Sequence, residues 1–278
     1  MITHLQDTVT LNNGIKMPGF GLGVYKVENG QTVINAVKTA IEHGYRSVDT
    51  ASFYDNEEGV GQGIRETGIS REEIFITSKV WNEEQGYEST LKAFDRSLEK
   101  LGTDYLDLYL IHWPVKGKYK ETWRAMEELY ADGKVRAIGV SNFHLHHLQD
   151  LMQDSKIKPA IDQVEYHPHL SQPELREFCE MENIQLEAWS PLKRGKLLDE
   201  PTLRRIAEKH GKSIAQVILR WDIQNNVVTI PKSVTDKRII ENADIFDFIL
   251  KDVEMEEINS LNINDRTGTN PDSYDLQD

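Results

Sequence analysis

Three shortages narrow what this chain can be. It has one cysteine, Cys179, in 278 residues. No internal disulfide can form, which suits a reducing compartment. A Cys-rich zinc site is excluded as well, and the helical setting of Cys179 reads as a buried structural thiol. Long apolar runs are missing: nothing approaches the roughly 20 residues that span a bilayer, and the mean hydropathy is −0.54. Positive charge is short, with 32 Lys+Arg against 46 Asp+Glu and a net charge of −14. An acidic surface repels phosphate backbones and anionic membranes, so neither nucleic acid nor a membrane is an expected partner. The first ten residues carry no basic segment followed by an apolar one, so no signal peptide is read and the cytoplasm is the expected location. No Gly/Ser-rich linker, charge block or short repeat divides the chain. One domain over residues 1–278 is expected.

What is present has a rhythm. Thr8–Leu11, Asn12-Asn13-Gly14 and Ile15–Met17 read as a β-hairpin, with Asn-Gly supplying the positive φ values. After it, apolar strand-like runs alternate with amphipathic helices. The helix over 32–43 has Val33, Ile34, Val37, Ala40 and Ile41 on one face and stops at Gly44. The helix over 173–181 has Ser171 as its expected cap. Two helices, 201–210 and 214–224, precede the last strand at 227–230, and helices over 236–243 and 253–261 follow it. Beyond Asn262 the tail has loop composition. Counted without the hairpin, there are eight strand–helix units. Strict alternation implies a parallel sheet. Eight units in roughly 250 residues fit a closed (β/α)8 TIM barrel, with the N-terminal β-hairpin plugging its mouth and additional C-terminal helices. An open doubly wound sheet is the second reading.

A barrel collects its chemistry at the C-terminal ends of its strands. Polar or ionisable residues stand at those ends: Asp49 with Tyr54 just beyond, Lys79 before Trp81, His112 before Trp113, Ser141-Asn142, Gln163, Ser190 and Lys232-Ser233. Taken singly, each has a bland explanation. A lone histidine is usually core, a lysine is usually solvated, and Gln163 or Ser190 can simply satisfy backbone groups. Asp, Tyr, Lys and His on three adjacent strand ends are harder to explain that way. A buried ammonium at Lys79 needs a carboxylate, and Asp49 is one strand away. A phenol near pKa 10 is brought toward useful proton exchange by an ammonium beside it. His112 can donate to a carbonyl oxygen, so Tyr54 and His112 make a site for a developing alkoxide. This is carbonyl reduction in need of a hydride source. No metal is expected: His144, His146 and His147 read as helix-surface residues, and His167 and His169 flank Pro168 in a loop.

These segments resemble the aldo-keto reductases over nearly the whole chain. The matching stretches are Asp49–Tyr54, Asp107–Pro114, Ile138–Phe143 and Ile230–Ser233. The resemblance implies a (β/α)8 barrel that uses NADPH, with Tyr54 as general acid, Asp49 and Lys79 tuning it, and His112 orienting the carbonyl. It also implies that Ser141, Asn142 and Gln163 hold the nicotinamide carboxamide and that Trp189 stacks on its ring. Ser190 and Leu192 would lie along the pyrophosphate. Lys232, Ser233, Val234 and Arg238 would clamp the 2′-phosphate, with Glu241 and Asn242 at the adenine. Gly23, Val24, Tyr25 and Asp49 complete the cofactor set. Tyr25, Tyr54, Trp81, His112 and Trp113 would line the substrate pocket for a small-molecule carbonyl.

The short loop after His112 and the short tail resemble a compact bacterial branch that includes glyoxal/methylglyoxal and 2,5-diketogluconate reductases. An open pocket and a monomer are the expectation. Lys193-Arg194 either grips the pyrophosphate or is exposed. Gly19–Gly23 and Gly59–Gly63 only loosely resemble a dinucleotide fingerprint, with the wrong spacing. Two other classes stay open on the residues alone: a cofactor-sensing binding subunit and a metal-dependent barrel hydrolase or isomerase.

Overall fold

In the structure, a computed structural model describing residues 2–273, β1 (Thr8–Thr10) and β2 (Lys16–Pro18) form an antiparallel hairpin. The outer ends of the expected domain, Met1 and residues 274–278, lie outside the described residues. The barrel strands are β3 (Leu22–Gly23), β4 (Ser47–Asp49), β5 (Phe75–Val80), β6 (Leu106–Ile111), β7 (Val135–Ser141), β8 (Ile161–Glu165), β9 (Gln185–Trp189) and β10 (Val228–Thr229). They run parallel in sequence order from β3 to β10. Parallel bridges Phe20–Thr229 and Gly23–Lys232 then join the first strand to the last. The ring closes, and the open-sheet reading is excluded. Closure needs glycine here, because a Cβ on Gly23 would lie 2.7 Å from the Ile230 carbonyl oxygen.

The helices pack outside. They are α1 (Gln31–Glu42), α2 (Glu57–Glu66), α3 (Tyr87–Leu101), α4 (Tyr119–Ala131), α5 (Leu145–Asp154), α6 (Pro173–Met181), α7 (Pro201–His210), α8 (Ile214–Gln224), α9 (Asp236–Ala243) and α10 (Asp252–Asn259). The glycines of the Gly59–Gly63 run belong to α2 and hold no phosphate loop. Their role is close packing: a Cβ on Gly61 would meet the Leu101 carbonyl oxygen at 2.0 Å. α6 begins at Pro173 after Gln172, which sits at φ 42, and no side chain caps it, so Ser171 is not its cap.

Two apolar layers result from the strand alternation. Ile76, Val80, Tyr109 and Ile111 face the helices. Phe75, Leu108, Leu110, Ala137, Ile161 and Val228 fill the barrel with Leu11 and Met17 of the hairpin. The hairpin therefore seals the N-terminal mouth as expected. Of its turn residues only Gly14 has positive φ. Asn12 and Asn13 instead donate side-chain bonds to the carbonyls of Pro159 (2.8 Å) and Arg136 (2.9 Å), tying the plug to the strand entries.

Candidate active site

Along the inner wall, residue type changes with height. On β5 the inward series runs Phe75, Thr77, Lys79; on β6 it runs Leu108, Leu110 and continues to His112 just past the strand; on β8 it runs Ile161, Gln163, Glu165. Apolar side chains fill the closed end, and polar ones gather at the C-terminal end. Each polar residue is buried because its strand is. The period of two therefore converts a strand-end polar residue into a buried, inward-facing one.

Lys79 Nζ donates to Asp49 Oδ1 at 2.6 Å, to the Thr50 carbonyl at 2.9 Å and to Tyr54 Oη at 3.3 Å. Its ammonium is inaccessible to solvent. Tyr54 ends a single 3-10 turn over Ser52–Tyr54, which Asp55 terminates at φ 52. Ser52 Oγ lies 3.1 Å from the Lys79 carbonyl and 2.9 Å from Glu84 Oε2, which anchors the turn to β5. Asn56 stands at the N-cap position of α2, but its side chain makes no capping bond there. Its amide donates to the carbonyls of Val24 and Val27, both at 2.9 Å, and accepts from Thr50 Oγ1 at 2.8 Å. That side chain staples the loop carrying Tyr25 to the turn carrying Tyr54, whose rings sit 5.0 Å apart.

The electrostatics correct one expectation. Burial pushes the Tyr54 phenol up to about 12; the Lys79 charge pulls it down, but by less than burial raises it. The resting phenol is thus firmly protonated. Because its oxygen accepts from Lys79, its own proton is free to point into the cavity. For Lys79, burial opposes the charge, but Asp49 and Tyr54 outweigh it and the ammonium is held above its ordinary value. His112 is neutral: burial, with the Lys79 charge adding to it, holds it well below the ordinary imidazole value. Its Nδ1 is buried without a hydrogen-bond partner, and its ring lies 5.7 Å from that of Tyr54.

A second carboxyl lies behind this chain, and sequence reasoning missed it. Gln163 Nε2 donates both to Asp49 Oδ2 and to Glu187 Oε2, each at 2.7 Å. Glu187 is fully buried on β9, and burial followed by the Asp49 charge pushes its carboxyl well up. Inward placement of a glutamate in Gln185–Trp189 is readable from period two once the strand is known. Its link to Asp49 is not.

The mouth opens into a cavity of about 1160 Å³. Gly23, Tyr25, Asp49, Tyr54, Trp81, His112 and Trp113 line one end. Ser141, Asn142, Gln163 and Trp189 follow, then Ser190 and Leu192, and finally Lys232, Ser233, Val234, Arg238, Glu241 and Asn242. The expected residues thus share one cavity, with two exceptions: Lys79 lies beneath the floor, and Val24 is buried away from the wall. Asn142, at φ 63, donates to the His112 carbonyl (2.9 Å) and accepts from Trp189 Nε1 (2.8 Å), which sets the indole against the wall. Lys232 and Arg238 are exposed and enter no salt bridge among the described residues. Two free cations at one end of a long cavity suit a phosphate.

Other placements were not foreseen. Phe53 stacks on Trp81 with centroids 3.7 Å apart and joins the substrate end. Ser213, Ile214 and Ala215, at the start of α8, also line the cavity. Lys193 does not grip a cofactor: it is buried, pairing with Asp265 and with His169 Nδ1 (2.9 Å), while Arg194 lines the cavity. The tail returns to the site. Thr267 N (2.7 Å) and Gly268 N (2.9 Å) donate to Glu165, which also takes His167 Nε2 at 3.0 Å. Burial alone would raise the Glu165 carboxyl, but these donors hold it down at about 2. Thr267, Gly268 and Thr269 become a cavity wall. No composition signal in the tail announced that. His144 and His147 are also half-buried rather than on the open surface, and Asp272 meets them.

Fold and site together define a (β/α)8 enzyme with a lysine-tuned tyrosine at the barrel mouth. Residues 19–263 match the Aldo/keto reductase family, and the chain belongs to it. It is 65% identical over 272 residues to the glyoxal reductase of Bacillus subtilis (strain 168), covering 98% of this chain and 99% of that one. An aldo-keto reductase enzyme from a Medee basin deep-sea metagenome library is 49% identical, with a TM-score of 0.94 over 97% of this chain and 100% of that one. A mutant of Gox0644 crystallised in complex with NADPH is 44% identical, with a TM-score of 0.93 over 98% and 99% of the two chains. Among the described residues no helix is long and apolar enough to cross a membrane.

Proposed function

We propose that this chain is an NADPH-dependent reductase of aldehydes and ketones, with small dicarbonyls such as glyoxal and methylglyoxal among its substrates. The observation that carries the reading is a protonated Tyr54 between a buried ammonium and a neutral imidazole, at the mouth of a cavity whose far end has two free cations. Bound NADPH would supply the hydride. Ser141, Asn142 and Gln163 would hold its carboxamide, Trp189 its ring face, and Lys232, Ser233 and Arg238 its 2′-phosphate. The residues fit that group, since they line one cavity of about 1160 Å³ and its Lys232 and Arg238 enter no salt bridge among the described residues.

Each protein group then has a task. His112 and Tyr54 converge on one point and orient the carbonyl oxygen there by hydrogen bonding. Tyr54 gives its proton to that oxygen as negative charge develops. Lys79 stabilises the phenolate left behind, and Asp49 keeps the ammonium placed and charged. Tyr25, Phe53, Trp81 and Trp113 exclude water with aromatic surface, which suits small or apolar substrates. The 65% identity to a glyoxal reductase supports the dicarbonyl assignment. A cytoplasmic monomer belongs to the same proposal, and the single, disulfide-free cysteine supports its reducing compartment.

The test is NADPH oxidation with methylglyoxal by wild type and Tyr54→Phe. The variant should lose about 10²–10⁴ in kcat, the usual worth of a general acid, while still binding NADPH. Full turnover by Tyr54→Phe would remove it from the acid role. NADPH binding without turnover across a broad carbonyl panel would point instead to a sensing subunit.

A further inference from the structure

His144 precedes α5, and His146 and His147 lie in its first turn, so three imidazoles crowd one helix end. The rings of His146 and His147 are only 4.0 Å apart. The tail, having crossed Glu165, delivers Asp272 to the same point. Asp272 Oδ2 lies 3.0 Å from His144 Nδ1, and its Oδ1 lies 3.1 Å from His146 Nε2 and 3.8 Å from His147 Nε2. One ligand atom from each of the four side chains falls within 4.8 Å of all the others.

Tetrahedral zinc with bonds near 2.0–2.2 Å has ligand–ligand edges of about 3.3–3.5 Å. The contacts of 3.0, 3.1 and 3.8 Å, made by the two Asp272 oxygens, span that value. The four ligand atoms, all within 4.8 Å of one another, would draw together onto one ion. Imidazole and carboxylate donors suit Zn²⁺ or Co²⁺, whereas Ca²⁺ and Mg²⁺ take oxygen shells. We propose that His144, His146, His147 and Asp272 form a binding site for a divalent transition metal, Zn²⁺ by preference, which fastens the tail beside the cavity.

Two local bonds would change on loading. Arg266 now donates to His144 Nε2 (3.0 Å) and to Gln172 Oε1 (3.2 Å), and the His144 backbone N–H donates to His147 Nδ1 (3.1 Å). Metal on His144 Nδ1 and His147 Nε2 moves each ring's proton to the other nitrogen, so Arg266 keeps only Gln172. The gain is a rigid link from α5 to the segment that walls the cavity. Gly268 in that wall is pressed on Trp189, where an added Cβ would meet the indole at 2.6 Å. Any effect of the metal on turnover rests on the proposed reductase reading; metal binding does not.

The test uses untagged, chelator-stripped protein and the metal alone. Co²⁺ should give the visible d–d absorption of a four-coordinate site, at one ion per chain, and Zn²⁺ should compete it away. His146→Ala and Asp272→Ala should each weaken Zn²⁺ binding by about a hundredfold or more, while His43→Ala leaves it unchanged. Zn²⁺ should slow hydrogen exchange at the Thr267 and Gly268 amides in wild type and not in Asp272→Ala. No saturable binding, or wild-type affinity in a His144→Ala/His146→Ala/His147→Ala chain, would overturn the site. Binding without any change in exchange would overturn the fastening. Neither failure touches the carbonyl assay.

Discussion

Replacing Lys79 by Met removes one half of a buried ion pair. Lys79 Nζ and Asp49 Oδ1 are 2.6 Å apart, and their side chains are 0% and 3% exposed. Without the ammonium, the Asp49 carboxylate keeps a Gln163 donor and loses its countercharge. Breaking such a pair from one side costs about 3–5 kcal/mol, mostly as the penalty of the uncompensated charge. Domain stability totals about 5–15 kcal/mol, so this one change removes a large share. Asp49→Asn leaves a lone buried ammonium and should cost a similar amount. The double variant Asp49→Asn/Lys79→Met buries no charge, and its cost should fall short of the sum of the singles by about 2 kcal/mol or more.

Urea unfolding by linear extrapolation measures all four corners of the cycle, with fluorescence and circular dichroism checked for coincidence. Lys79→Met should also lose about a hundredfold in kcat, because nothing then stabilises the Tyr54 phenolate. Lys79 contacts no cavity surface, so NADPH affinity should change little. A single-variant cost under about 1 kcal/mol, or additivity within about 0.5 kcal/mol, would refute the ion-pair reasoning.

Three further outcomes are expected. Lys232→Ala and Arg238→Ala should each cut the preference for NADPH over NADH by about 10–100-fold, the worth of a charge-assisted hydrogen bond, in side-by-side KM measurements. Since His112 is already neutral well below its ordinary value, kcat/KM should show no imidazole limb as pH falls from 7.5 to 6; a limb near 6.5 would show that His112 titrates freely. Glu165 has a folded value of about 2 against 4.5 unfolded. Its stabilisation is therefore complete above about 4.5 and is lost as pH falls toward 2. Glu165→Gln should cost on the order of 2 kcal/mol near neutrality, discounted for screening, and that gap should close over the same acid range in unfolding curves.

Much of the fold was legible because its signals are local. Alternating apolar runs, helix-stopping glycines such as Gly44 and the Asn-Gly turn are properties of neighbouring residues. Even Asp49, Tyr54, Lys79 and His112 could be grouped, since topology sends every strand end to one mouth. Other features depend on residues far apart in sequence. Asn56, next to Glu57 in the chain, bonds the carbonyls of Val24 and Val27 some thirty residues away. Lys193 reads either as a pyrophosphate grip or as an exposed residue, yet it is buried and Asp265 of the tail claims it.

The sequence by itself determined the parallel barrel, its plug and the chemical types at its rim, because side-chain period and turn chemistry are written in short stretches. Only the tertiary structure decided the state of those groups. Burial against charge sets whether Tyr54 holds its proton, and burial is a property of the assembled mouth. The Glu187–Gln163–Asp49 bridge, the tail clasped by Glu165 and the meeting of Asp272 with three histidines all join residues that no local pattern couples. Closing such contacts is the work of the folded chain, so their consequences for the active site appear only there.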